Sequence, residues 1–124
     1  MKRNFRFTWL FFWALIAFSA GCFYPQSSYA TPPENIQLKY TLSTQTLAVT
    51  IAHDTMFKGS HHIKYVEIKK NGSVVSINTY TSQPAGKTFT YQYKIPAIEE
   101  DTFLVTATCN MYGSKTSPLL TVTP

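Results

Sequence analysis

Past residue 35 the chain alternates apolar and polar positions. Ile36, Leu38, Tyr40 and Leu42 form one such set and Leu47, Val49 and Ile51 a second, each interleaved with polar residues. A period of two sends successive side chains to opposite faces of an extended backbone, so each set predicts a strand with one face buried and one wet. A third stretch, His62 to Lys70, carries Ile63, Tyr65, Val66 and Ile68 and ends at Asn71-Gly72, a pair suited to the left-handed backbone of a two-residue hairpin turn. The turn predicts a paired strand over Ser73 to Tyr80. Phe89, Tyr91 and Tyr93 mark a fifth strand, Phe103, Val105 and Ala107 a sixth that runs into Cys109, and Leu120 and Val122 a seventh. No stretch after residue 35 has the periodicity of an amphipathic helix. Short strands rich in aromatic and β-branched residues, separated by turn signals, predict an all-β fold: a seven-stranded, immunoglobulin-like antiparallel β-sandwich over residues 31–124.

The N-terminus obeys a different rule. Lys2, Arg3 and Arg6 precede an apolar run from Phe7 to Gly21 that is broken only by Thr8 and Ser19. A basic start and a short apolar stretch predict an export signal and a periplasmic destination, not a permanent membrane span. Two cuts compete. Ser19-Ala20-Gly21-Cys22 reads as a lipoprotein site, which gives a signal of residues 1–21 and a lipidated Cys22 as membrane tether. Ser28-Tyr29-Ala30 fits ordinary signal peptidase and gives a signal of residues 1–30. The first is preferred because Cys22 falls directly at the end of the apolar run. From Phe23 to Asn35 the chain is polar and holds Pro25, Pro32 and Pro33, so it reads as an extended tether with the folded part starting near Ile36.

Charge adds an exclusion. The whole chain has 11 Lys and Arg against 6 Asp and Glu, a formal net of +5. The export segment holds both arginines, and the remainder of the chain carries 8 lysines against 6 acids, a net of +2. Without arginine, bidentate contacts to phosphate or guanine are missing, which argues against a nucleic-acid partner.

Candidate chemistry sits in four residues. Either cut leaves Cys109 as the one thiol of the folded part, so an intrachain disulfide is not expected; a buried structural role and a metal ligand both remain open. His53, His61 and His62 lie within ten residues of one another, in and beside the loop between the second and third strands, and Cys109 opens the loop between the sixth and seventh. In a sandwich these two loops emerge at the same end, so histidines and cysteine can meet. Adjacent His61 and His62 point to opposite faces if extended, so only one should face a shared centre. Imidazole with thiolate suits iron, copper or zinc and is wrong for calcium or magnesium. With Met111 or Met56 added, the set becomes that of a blue-copper site. Hydrolytic chemistry has no support: Asp54 is too close to His53 to signal a triad, and no nucleophile elbow is present.

His53, then His61-His62-Ile63-Lys64-Tyr65-Val66-Glu67-Ile68, and later Cys109-Asn110-Met111-Tyr112-Gly113 resemble the iron-binding domain of superoxide reductases, the neelaredoxin and desulfoferrodoxin family. The likeness covers most of Leu47 to Val122. It implies an immunoglobulin-like sandwich and a mononuclear non-haem iron, held by four imidazoles and an axial thiolate, that reduces superoxide with the help of an electron donor. Carried over by position, His53 and His61 would be equatorial ligands and Cys109 the axial one, with Asn110 and Gly113 shaping the cysteine loop. Two family histidines are absent. Tyr112 stands where the last one belongs and is the candidate fourth ligand, as a phenolate. The family's first ligand comes from a segment before the first strand, where this chain has Tyr29-Ala30-Thr31-Pro32-Pro33-Glu34 and no histidine. Phenolate favours ferric over ferrous iron, which works against a centre that must rest reduced. The resemblance thus implies an exported metal-binding domain, with iron ahead of copper or zinc, and superoxide or another small redox substrate if it is active. The alternative is a non-catalytic immunoglobulin-like module that has lost the metal and binds a protein partner, with Tyr29, Phe57 and Tyr80 as candidate surface residues.

Overall fold

The computed structural model describes residues 31–124; the export segment, both cut sites, Cys22 and Tyr29 lie outside the described residues. Eight strands run in chain order: β1 (Asn35–Thr41), β2 (Thr46–Ala52), β3 (Ile63–Lys70), β4 (Ser73–Thr79), β5 (Thr88–Lys94), β6 (Thr102–Cys109), β7 (Ser114–Thr116) and β8 (Leu120–Thr121). They form two antiparallel sheets, one ordered β1-β2-β5 and the other β4-β3-β6-β7, with β8 also paired to β6. This is an immunoglobulin-like sandwich in which the fourth strand joins the sheet of the third and sixth.

The period-two alternation becomes the core. Leu47, Val49 and Ile51 of β2, Val66 and Ile68 of β3, and Phe103 and Val105 of β6 are completely buried, joined by Ile36 and Val122. Each such large apolar side chain stabilises the fold by about 1.5–3 kcal/mol relative to exposure. Asn71 and Gly72 both have positive φ, 53° and 82°, which is the two-residue turn their sequence predicts, and it links register partners Lys70 and Ser73.

Two expectations need correction. The final strand is broken, so the count is eight and not seven. From Thr106 to Phe103 β6 advances three residues, while its partner advances four, from Thr116 to Leu120. Ser117 absorbs the difference: its N–H donates to the Val105 carbonyl at 2.8 Å, and its hydroxyl oxygen accepts the Val105 N–H at 3.0 Å. Pro118 comes next with no N–H to offer, so the ladder is interrupted there as a bulge. The second correction concerns the tether, whose last residues belong to the fold. Pro33 is buried, and the Glu34 N–H donates to the Ala52 carbonyl at 2.8 Å, which extends the β1-β2 ladder backwards. Two consecutive prolines hold a fixed extended backbone that lies against the sandwich end.

One irregularity positions the site. Ile63 pairs with Cys109, whereas Tyr65 pairs with Thr108, so Lys64 is an extra residue on β3. Without it Ile63 and Val66, three residues apart, would face opposite sides; with it both are buried. The bulge thus swings the residues just ahead of Ile63 towards the start of the Cys109 loop.

Candidate metal centre

His53 is the first residue after β2, and its N–H donates to the Lys87 carbonyl at 2.9 Å, so the β2-β5 ladder holds its backbone. The loop after it is folded back by the Phe57 carbonyl, which accepts from the N–H groups of Ser60 and His61 at 3.1 and 2.7 Å. Across from it the turn 109–113 is closed by the Cys109 N–H donating to the Gly113 carbonyl at 2.9 Å. Gly113 has φ of 70°, a left-handed backbone that suits glycine. Asn110 joins the two loops. Its side-chain amide donates to the Ser60 carbonyl at 2.8 Å, its Oδ1 accepts the His62 N–H at 2.9 Å, and its own N–H donates to the His62 carbonyl at 3.0 Å.

These restraints bring His53, His61 and Cys109 together. One ligand atom from each lies within 4.8 Å of the others, and all three residues are buried. Donors held about 2.0–2.3 Å from a common ion at near-tetrahedral angles stand about 3.3–3.8 Å apart, so an ion would draw the widest pair together by roughly 1–1.5 Å. His61 Nε2 is buried with no hydrogen-bond partner. An orphaned buried nitrogen is costly unless something fills its lone pair, which fits a ligand atom. Burial, then the neighbouring His53 and His62, hold the His61 pKa below its ordinary value, while the Thr31 carbonyl pulls the other way. A neutral imidazole is the form that binds metal. The sulfur of Cys109 receives the Met111 N–H at 3.4 Å. Its thiol lies 3.9 Å from Asn110 Oδ1.

Gln83 sets the orientation of His53. Its Oε1 meets His53 Nδ1 at 2.7 Å and also accepts the Ile63 N–H at 3.2 Å, while its Nε2 donates to the His53 carbonyl at 2.9 Å. The amide can satisfy all three only with its oxygen towards the imidazole, so Nδ1 carries the proton and Nε2 faces the cluster. The other side of that ring meets the Thr31 carbonyl, 3.0 Å from Nε2.

The remaining sequence candidates lie elsewhere. His62 is buried, but its Nε2 reaches the Tyr80 carbonyl at 3.1 Å, so one of the adjacent histidines enters the cluster; the pair lies in a bend ahead of β3 and not in extended backbone. Tyr112 is on the cysteine loop with its side chain 59% exposed. Met56 and Met111 are exposed too, and what Met111 brings to the sulfur is its backbone N–H. Phe57 is exposed on the histidine loop, whereas Tyr80 stacks on Tyr91 at 4.4 Å and its hydroxyl meets that of Tyr93 at 2.6 Å. Gln83 and Thr31 were not among the sequence candidates. A glutamine in a loop carries no signal of its own, and Thr31 acts through its backbone.

No family model matches the chain, and no curated protein does. Among solved structures it is similar to a superoxide reductase (neelaredoxin) from Ignicoccus hospitalis, with a TM-score of 0.44 and 12% identity over 74% of this chain and 82% of that one. It is likewise similar to a superoxide reductase from Nanoarchaeum equitans, with a TM-score of 0.42 and 12% identity over 78% of this chain and 96% of that one. Likeness at this level does not bear on chemistry, which rests on the geometry of the chain itself.

Proposed function

We propose that this chain is an exported metal-binding domain, with His53, His61 and Cys109 as donors to one transition-metal ion. The observation that carries the reading is the cluster itself: two imidazoles and a thiol with ligand atoms within 4.8 Å, all three residues buried, and His61 with a buried Nε2 that has no hydrogen-bond partner. Two nitrogens and a sulfur match iron, copper or zinc and reject calcium and magnesium. Iron is the metal of the family whose motifs this sequence resembles, and that resemblance puts it first; when bound, it would supply one-electron chemistry towards a small redox substrate of the superoxide kind.

The chain's own residues then have definite work. Gln83 fixes the His53 tautomer so that Nε2 is the ligating atom. Asn110 holds the histidine loop and the cysteine loop in one register. The Met111 N–H points at the sulfur, where a ligated thiolate carries its charge. Tyr112, exposed on the cysteine loop, is the additional donor that the resemblance suggests.

The test is metal content. The protein, purified in the form that cells accumulate and loaded in turn with iron, copper and zinc, is expected to hold close to one ion per chain and to show a thiolate-to-metal absorption band with iron or copper. Cys109→Ser abolishes the band and His61→Ala lowers occupancy. Metal-free protein after every loading, or occupancy indifferent to both substitutions, assigns the fold to a protein-binding module instead.

A further inference from the structure

The strap Thr31–Pro33 crosses the same end of the sandwich, and its first carbonyl points into the cluster. Three contacts hold it there. The Glu34 N–H donates to the Ala52 carbonyl, Pro33 is buried, and Pro32 packs so closely on the cysteine loop that a Cβ on Gly113 would stand 3.1 Å from the Pro32 Cβ. Proline at 32 also restricts Thr31 to an extended backbone. The Thr31 carbonyl is therefore presented rigidly.

What it is presented to is chemically odd. His53 Nδ1–H is committed to Gln83 Oε1 at 2.7 Å, so in the singly protonated tautomer Nε2 carries a lone pair. That lone pair faces the lone pairs of the Thr31 oxygen across 3.0 Å. Two acceptors at that distance repel, and a cation between or beside them, a proton or a metal ion, turns the repulsion into attraction. Donors about 2.0–2.2 Å from one ion, at angles of about 90–110°, stand about 2.8–3.6 Å apart, and 3.0 Å falls inside that range. The His61 ring stands edge-on to that of His53 with centroids 4.8 Å apart, and its Nε2 is buried without a hydrogen-bond partner.

We propose that the backbone carbonyl oxygen of Thr31 is a fourth donor of the centre. The inference rests on the metal-binding reading above. It makes the donor set two nitrogens, one sulfur and one oxygen, and it turns the strap into a structural part of the site. The main chain supplies what no side chain there can.

Sequence makes the test selective. Thr-Pro occurs only at Thr31-Pro32 and Thr123-Pro124, so protein labelled with carbonyl-¹³C threonine and ¹⁵N proline gives two carbonyl–nitrogen correlations, and the second is an internal control. On adding zinc, the Thr31 carbonyl resonance is expected to shift while that of Thr123 stays in place. With cobalt in its stead, only the Thr31 signal should broaden beyond detection, beside a thiolate-to-cobalt absorption band that Cys109→Ser removes. Pro32→Gly with Pro33→Gly, which loosens the strap without touching a donor, should weaken zinc binding about tenfold. Zinc bound in a Cys109-dependent way with the Thr31 carbonyl unmoved overturns the fourth donor and leaves the metal centre standing. No zinc or cobalt binding at all removes both.

Discussion

Gln83 shows how much of the site depends on a residue outside it. It serves the His53 ring, the His53 carbonyl and the Ile63 N–H at once, in a buried position. Gln83→Leu keeps the volume and strands all three partners, so it should lower stability by roughly 2–4 kcal/mol in urea unfolding and free the His53 ring to turn. His61 makes a second prediction, on pH. Burial keeps its folded-state pKa below the ordinary value near 6.5. Above that value both folded and unfolded chains hold it neutral and its contribution is complete. As pH falls, the unfolded chain takes the proton first, so stability declines until the lower folded-state pKa is passed and then levels off. Thermal unfolding of chelator-treated protein should therefore show a Tm that drops as the pH is lowered from neutral through about 6.5, and His61→Gln should reduce the drop. An equal drop in both proteins would remove burial of His61 as its cause.

At the level of elements, the sheet edges are unequally guarded. β1 carries Lys39, β5 Lys94, and the β7-β8 edge has Lys115 and the break at Pro118. β4, the outer strand of the larger sheet, reads Ser-Val-Val-Ser-Ile-Asn-Thr, with no charge and no proline, and Ile77 on it is 59% exposed. Charges and prolines are what keep sheet edges from pairing with other chains. Ile77→Lys should raise the concentration at which the protein aggregates several-fold, read by light scattering, while changing stability by no more than about 0.5 kcal/mol. The strands themselves were legible because burial on one face enforces a period of two; Leu47, Val49 and Ile51 are the clearest case. β7 was not, because Ser114, Lys115 and Thr116 contain no apolar residue and are all exposed. The Lys64 bulge was also hidden, since it exists only in the register of β3 against β6. At the site, histidine and cysteine were readable because residue type declares their chemistry. Gln83 and the Thr31 carbonyl were not, since an amide can occur anywhere and every residue has a carbonyl.

For the molecule as a whole, the notable fact is how little chain separates its two ends of interest. Among the described residues, the sandwich places both candidate loops and the start of its folded part at one pole, and the opposite pole, with its Asn71-Gly72 hairpin, holds no histidine or cysteine. Thr31 is the residue that a cut after Ala30 would turn into a new amino terminus. An amine and a carbonyl oxygen on the same residue close a five-membered ring around an ion. Under that processing, and with Thr31 as the proposed donor, the proteolytic step would also create a chelating pair, so that an uncut precursor would bind an ion less firmly than the finished form.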